Sequence, residues 1–165
     1  MTREKDRFSI RRAARLPGYD YRTDGYYFIT ICTDQRRCLL SSIQAGAVYL
    51  SPLGRIADQE WRRTAAVHRG LQLDAYVIMP NHFHAVVMLN HEATDRPPLG
   101  VAISGFKAAV TRRGRRLYTR AFEVWQRGYY EHIVRNDQDL EAVRQYIAHN
   151  SERWTEDREY PRRRE

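Results

Sequence analysis

The chain has 165 residues with a formal net charge of +8, and 42% of the residues are hydrophobic. This length suits one domain with a real core, and this apolar content excludes an intrinsically disordered chain. The positive charge indicates an anionic partner, most commonly nucleic acid, with an acidic membrane surface as the alternative.

The first 15 residues are basic and irregular, and they predict an arm that is either simply mobile or contacts nucleic acid. They hold no apolar segment of the kind that directs secretion, and no run in the chain approaches the ~20 apolar residues of a membrane-spanning helix. The two cysteines, Cys32 and Cys38, lack C-x-x-C spacing and suit reduced thiols. We therefore expect a cytoplasmic protein.

Strands precede a helix in the first third of the chain. Residues 26–33 are β-branched and aromatic and predict a strand, and residues 47–50 predict a second strand paired back on the first. Ser51 and Pro52 predict a helix start, because serine accepts from the first free amides and proline suits the first helical position. The apolar face of this helix is predicted at Leu53, Ile56, Ala57, Trp61 and Ala65, with Gly70 closing the element.

Residues 73–89 predict a β-hairpin, in which apolar runs at 76–79 and 85–89 flank a Pro-Asn turn. His82 and His84 begin its second strand and, being two residues apart, leave the same face. Two neutral imidazoles on one face can both bind one divalent cation. The alternative is a pair of hydrogen-bonded structural histidines.

A basic cluster follows the second predicted helix, whose apolar stripe is Leu99, Ile103, Phe106 and Val110. No acid interrupts the cluster, which consists of Arg112, Arg113, Arg115, Arg116 and Arg120. Cations are favoured at a helix C-terminus by the dipole, which is the simpler explanation. Because there are more arginines than that role needs, we favour a phosphate-binding patch.

Basic and aromatic residues alternate after a short strand predicted at 124–126. Bases can stack on the rings of Tyr129 and Tyr130 while Arg127 holds a phosphate. Equally, the tyrosines can pack in the core. This segment is therefore a second candidate for nucleic-acid binding.

Asn136 or Asp137 is predicted to cap the last helix, because acids fill its first turn. Tyr146 and Asn150 are four residues apart, which places them on one helix face. The chain is charged at about 155–165 and predicts a frayed tail.

The predicted order of elements is ββαββαβα, in a single domain over residues 1–165. Hairpins followed by helices favour an α+β fold, with an antiparallel sheet covered by helices.

His82, His84 and the amide oxygen of Asn150 could together hold a metal ion while leaving coordination positions open, which is typical of catalytic sites. A phenol such as Tyr146 has a pKa near 10 and needs help to act as a nucleophile. A metal can supply this help by polarising a phosphoryl oxygen. Attack by tyrosine on phosphorus gives a covalent, reversible intermediate. The alternative is that Tyr146 is a core residue.

The run Met79-Pro80-Asn81-His82-Phe83-His84 resembles the HUH motif of single-tyrosine transposases. The chain is more specifically similar to REP-associated tyrosine transposases over about residues 10–160. Further matching stretches are residues 18–21, 27–33, 105–107 and 124–136, and the spacing Tyr146-Ile147-x-x-Asn150. One departure is Ser151, where relatives commonly have proline.

The resemblance implies His82, His84 and Asn150 as metal ligands and Tyr146 as the nucleophile. It implies Mg or Mn as cofactor, hairpin-containing single-stranded DNA as substrate, and a monomer or homodimer. The activity expected is cleavage and rejoining of DNA through a 5′-phosphotyrosine. Two alternatives are a domesticated protein that binds hairpin DNA or RNA without strand transfer, and a histidine-based zinc hydrolase.

Overall fold

The computed structural model describes residues 24–90, 98–118, 123–157 and 159–161. Its strands are β1 (Gly25–Cys32), β2 (Ser41–Gln44), β3 (Ala47–Leu50), β4 (Leu71–Ile78), β5 (His82–Leu89) and β6 (Tyr130–Val134). Its helices are α1 (Pro52–Val67), α2 (Leu99–Gly114) and α3 (Asp137–Ala148). The predicted N-terminal arm lies outside the described residues.

One antiparallel sheet, in the order β4-β5-β1-β6, organises the fold. Alternate residues of β1 and β5 point to opposite faces. One face, with Tyr27, Ile29, Ile31, Phe83, Ala85 and Val87, forms the main core with α1 and α2. The other face, with Phe28 and Val86, packs against α3. The expected α+β class, an antiparallel sheet covered by helices, is confirmed.

The main core is centred on a fully buried tryptophan of α1. The ring of Trp61 meets Phe83 of β5 edge-on at 4.9 Å and Phe106 of α2 at 5.1 Å between centroids. Perpendicular aromatic pairs of this kind add about 0.5–1.5 kcal/mol beyond burial of their area. They hold β5 in place through its core face, which is opposite the face that carries its histidines.

Both predicted helix caps are present. The Ser51 hydroxyl accepts from the amide of Gly54 at 3.0 Å, directly before Pro52. Asn136, rather than Asp137, caps α3, and its Oδ1 accepts from the amide of Asp139 at 2.8 Å. No helix in the described part of the chain is long and apolar enough to span a membrane.

Two strand predictions were wrong in position or partner. Residues 47–50 pair with β2 rather than β1, through a tight turn in which Ala45 and Gly46 both have positive φ. The predicted strand at 124–126 is a single bridge between Trp125 and Thr33. Gly128, with a φ of +76°, breaks the extended chain, so regular pairing with β1 resumes only in β6.

Candidate metal centre and active site

β5 brings His82 and His84 together on the face of the sheet that α3 covers. The imidazole centroids are 4.4 Å apart, and the two residues are 0% and 1% exposed. Both Nε2 atoms are buried without a hydrogen-bond partner among the described residues. Burial lowers the pKa of His82 to about 3, and burial holds the pKa of His84 well below its usual value. Both rings are therefore neutral at pH 7, as metal ligands must be.

The other ring nitrogens face polar partners. His82 Nδ1 lies 3.0 Å from the Asn81 Oδ1, and His84 Nδ1 lies 2.8 Å from the Thr30 hydroxyl. A histidine that binds a metal through one nitrogen commonly has its other nitrogen fixed in this way. These contacts orient both rings with Nε2 toward a shared space.

A carboxylate that the sequence analysis did not identify completes the cluster. Asp157 lies with His82 and His84 in a group whose potential ligand atoms are all within 4.8 Å of one another. Its Oδ2 is 4.0 Å from His82 Nε2, and its side chain is 5% exposed. The position of Asp157 in the sequence does not indicate this role. Only the path of the loop after α3 brings its carboxylate back to β5.

The segment after α3 is packed where we expected a frayed tail. Trp154, in a 3-10 turn, lies against the ring of His82 at 5.9 Å and against Tyr160 at 5.2 Å. Glu159 is buried and forms an ion pair with Arg36. The described part of the predicted tail, residues 155–157 and 159–161, therefore forms one wall of the site. Aromatic packing and this ion pair outweigh its charged composition.

Asn150 lies beside the cluster but outside the helix that was expected to carry it. α3 ends at Ala148, and Asn150 occupies the following turn, where its amide donates to the carbonyl of Ile147 at 3.3 Å. Its Nδ2 donates to Asp157 Oδ2 at 3.2 Å, which leaves Oδ1 buried without a partner among the described residues. α3 ends before Asn150 because His149 has a φ of −99° and a ψ of 5°, outside the α-helical range.

The donor set fits a divalent cation. Two imidazole nitrogens, one carboxylate and one unpartnered amide oxygen converge, and such mixed nitrogen and oxygen ligands suit metals such as Mn²⁺. Buried polar atoms without partners are costly in a native protein, so Nε2 of His82, Nε2 of His84 and Oδ1 of Asn150 need a common explanation. A bound cation supplies one.

α3 brings Tyr146 to the histidines. Its half-buried ring lies 5.4 Å from the ring of His84 and 6.0 Å, edge-on, from Phe28. Contacts with the sheet hold the helix both in its first turn and in its second half. Arg144 donates to both carboxylate oxygens of Asp74, at 3.0 and 2.5 Å, and Asp139 lies 2.9 Å from Nε2 of His132.

The arginine cluster lies away from the histidines. α2 covers the opposite face of the sheet, and its end carries the exposed Arg112, Arg115 and Arg116. Arg113 is engaged instead in the fold, because it donates to the buried Glu60 at 2.6 Å and to Gln59 at 2.7 Å. Arg120 lies outside the described residues.

The two tyrosines after Arg127 have different surroundings. Tyr130 pairs with Thr30 in the β1–β6 ladder, so both side chains leave the sheet on the face of the imidazoles. Tyr129 packs against the main core. Arg127 is exposed between these elements. Of the tyrosine pair, only Tyr130 is placed on the face of the candidate site.

Comparison with known proteins identifies the family of this chain. A family described as "Transposase IS200 like" matches residues 23–150. An uncharacterised protein of Haemophilus influenzae is 34% identical over 168 residues, covering 91% of this chain and 93% of its own length. A second protein of that organism, provisionally named REP-associated tyrosine transposase, is 26% identical and covers 79% of this chain and 72% of its own.

The fold is also that of a solved structure. A REP-associated tyrosine transposase bound to a REP hairpin superposes with a TM-score of 0.61 and 19% identity, covering 79% of this chain and 68% of that one. The resemblance inferred from the HUH motif and the stretches around it is thus confirmed. The sheet, the paired histidines and the extent of the family match together place this chain in the family of IS200-like transposases.

Proposed function

We propose that the protein cleaves and rejoins single-stranded DNA that contains hairpins, in a metal-dependent reaction with Tyr146 as the nucleophile. The observation that carries this proposal is the convergence of two unpartnered imidazole nitrogens, the Asn150 oxygen and the Tyr146 ring on one buried site. A structural role for the histidines does not account for their unpartnered Nε2 atoms.

His82, His84, Asn150 and Asp157 are the residues that would hold Mg or Mn. When bound, such a cation polarises a phosphoryl oxygen as a Lewis acid. The site residues are neutral or acidic, so they can balance its charge without adding positive charge of their own. Trp154 excludes water from the side of His82.

Tyr146 supplies the attacking oxygen. As its Oη–phosphorus bond forms, the bond from phosphorus to the 3′ oxygen breaks, and the phenolic proton ends on that leaving oxygen. The products are a 5′-phosphotyrosine and a free 3′ hydroxyl. Because the phosphotyrosine keeps the energy of the phosphodiester, attack by a second 3′ hydroxyl reverses the step and rejoins DNA.

Hairpin DNA is the substrate that the fold and the exposed basic residues favour. The solved transposase of the same fold is bound to a REP hairpin. Exposed Arg112, Arg115, Arg116 and Arg127 supply phosphate contacts, and the aromatic ring of Tyr130 on the imidazole face suits base stacking. The net charge of +8 supports the same partner.

A trapped covalent adduct tests the proposal. With Mn²⁺ and a hairpin oligonucleotide, the wild type should give a protein–DNA band on a denaturing gel. Tyr146→Phe removes one oxygen and keeps the ring against Phe28 and His84, so it should bind the hairpin without forming the band. Tyr130→Phe is the matched control on the same sheet face and should still form it.

Mass spectrometry of the adduct identifies the tyrosine. A phosphotyrosine on the peptide of Tyr129 or Tyr130 would show that the nucleophile is wrongly assigned. Hairpin binding by the wild type without any adduct, in Mg²⁺ or Mn²⁺, would instead favour the domesticated binding protein.

A further inference from the structure

The side-chain amide of Asn81, in the turn before β5, can adopt only one orientation. Asn81 is fully buried, and its Nδ2 donates to the backbone carbonyls of Glu159 at 2.6 Å and Arg36 at 3.2 Å. Carbonyl oxygens only accept hydrogen bonds. A flipped amide would place Oδ1 against two acceptors, so the nitrogen must face them. Asn81 Oδ1 is thereby turned toward His82.

This orientation decides which nitrogen of His82 carries the proton. Asn81 Oδ1 only accepts, and it lies 3.0 Å from His82 Nδ1, so Nδ1 must be the donor. A neutral imidazole has a single N–H. His82 Nε2, which faces His84 and Asp157, therefore has a free lone pair.

We propose that Asn81 is a positioning residue of the metal centre, which sets the tautomer of His82 so that Nε2 can bind the cation. The role rests on the proposed function, because it matters only if the centre holds a metal. Asn81 does not touch the centre itself and acts through the ring of His82.

The corresponding contact of His84 is less decisive. The Thr30 hydroxyl lies 2.8 Å from His84 Nδ1 but can donate or accept, so it is compatible with either tautomer. Asn81 is thus the stronger determinant of the two. It also connects three parts of the chain, since its partners are Arg36 after β1, Glu159 near the end of the chain, and His82.

The tautomer can be measured directly in the metal-free protein. With ¹⁵N-labelled histidine, long-range ¹H–¹⁵N spectra at pH 7.5 should show His82 protonated at Nδ1. Asn81→Ala should lose this single tautomer, and its Mn²⁺ affinity, followed by the electron paramagnetic resonance of the free ion, should fall by about 10- to 100-fold. Asn81→Asp keeps an acceptor at Nδ1 and should keep the tautomer, even where its stability falls.

Thr33→Val is the matched control. The Thr33 hydroxyl lies 2.9 Å from the carbonyl of Asn81 and 2.7 Å from that of Arg37 and can donate its one proton to either, so its loss disturbs the same turn without removing a hydrogen bond of His82. This variant should keep both the tautomer and the Mn²⁺ affinity of the wild type.

Two results would overturn the proposal. One is a wild-type His82 protonated at Nε2, which needs no variant to fold. The other is an Asn81→Ala protein whose tautomer and Mn²⁺ affinity equal those of Thr33→Val. Because the tautomer is measured without metal or DNA, a wild type that fails to cleave DNA would count against the proposed function separately.

Discussion

At the scale of single residues, Asp157 distinguishes this site from one built on histidines and an amide alone. The carboxylate of Asp157 carries a negative charge, whereas the imidazole and amide ligands are neutral. It lies within 4.8 Å of the potential ligand atoms of His82 and His84. Hard divalent cations such as Mg²⁺ and Mn²⁺ prefer oxygen ligands, and anionic ones most. Asp157 therefore supplies the anionic oxygen ligand that Mg²⁺ or Mn²⁺ would need. Two histidines and a carboxylate also form typical zinc sites, so Asp157 does not select among these metals.

Asp157→Asn should weaken Mn²⁺ binding on the order of tenfold or more, which corresponds to at least about 1.4 kcal/mol. Titration of Mn²⁺ by electron paramagnetic resonance measures the change. Glu156→Gln removes the same charge from the adjacent, exposed residue and should leave the affinity near that of the wild type. Equal losses in the two variants would mean that Asp157 acts only through long-range charge.

At the scale of elements, α3 is held to the sheet by a bulge in β4. The register shifts between Leu73 and Tyr76, which inserts an extra residue and directs Asp74 toward Arg144, two residues before Tyr146. The hydrogen bond from Arg144 lowers the pKa of Asp74 below its usual value. The ion pair thus positions the proposed nucleophile.

Asp74→Asn should lower the free energy of unfolding by up to about 1 kcal/mol at pH 7, since the pair is partly exposed. A carboxyl with a lowered folded pKa stabilises above its unfolded pKa of about 3.9, and loses that contribution as pH falls through the folded value. The difference in the free energy of unfolding between variant and wild type, measured by urea unfolding, should therefore shrink as the pH falls below about 4.

The same variant should also slow adduct formation in single-turnover assays, because α3 becomes less well placed. Asp58→Asn is the control on the opposite face of the sheet, where Asp58 pairs with Arg62 within α1 and accepts a hydrogen bond from the Tyr76 hydroxyl at 2.8 Å. This control variant should lower the free energy of unfolding without slowing the formation of the covalent adduct. A cleavage rate unchanged in Asp74→Asn would contradict the positioning role of the bulge.

What could be predicted from the sequence follows the range of each interaction. The paired histidines, both helix caps and the helical placement of Tyr146 depend on neighbours within four residues, and these were found. The approach of Asp157 to His82, the pair between Arg113 and Glu60, and the β2–β3 pairing depend on how distant segments meet. Single-sequence patterns carry no information on such meetings.

At the scale of the whole molecule, the proposed DNA contacts are distributed over both faces of the sheet. The exposed arginines at the end of α2 lie on the face opposite the histidines, so any DNA that they hold lies at a distance from the candidate active site. They would bind the phosphates of a hairpin, while the single strand beside it enters the site.

Replacing Arg115 and Arg116 by alanine should weaken hairpin binding and lower the slope of log K against log salt by about 0.7 per lost single-strand contact, slightly more on a duplex stem. Arg113 is left intact, because its loss would strand the buried Glu60. The double variant of Arg63 and Arg69 removes the same charge from exposed positions in and just after α1 and should leave the slope nearly unchanged. Identical slopes in the two double variants would show a response to net charge alone.

The alternation of β5 has a consequence for how this protein can change. His82 and His84 face α3 while Phe83 and Ala85 face the opposite core, so function and packing occupy the even and odd positions of one strand. An insertion or deletion of one residue within β5 would exchange the two sets, placing imidazoles against Trp61 and a phenyl ring at the candidate metal centre, unless a bulge absorbed it as one does in β4. A two-residue change would preserve the parity. Lineages should therefore tolerate length variation in the loops freely, but within β5 only in steps of two or together with a bulge.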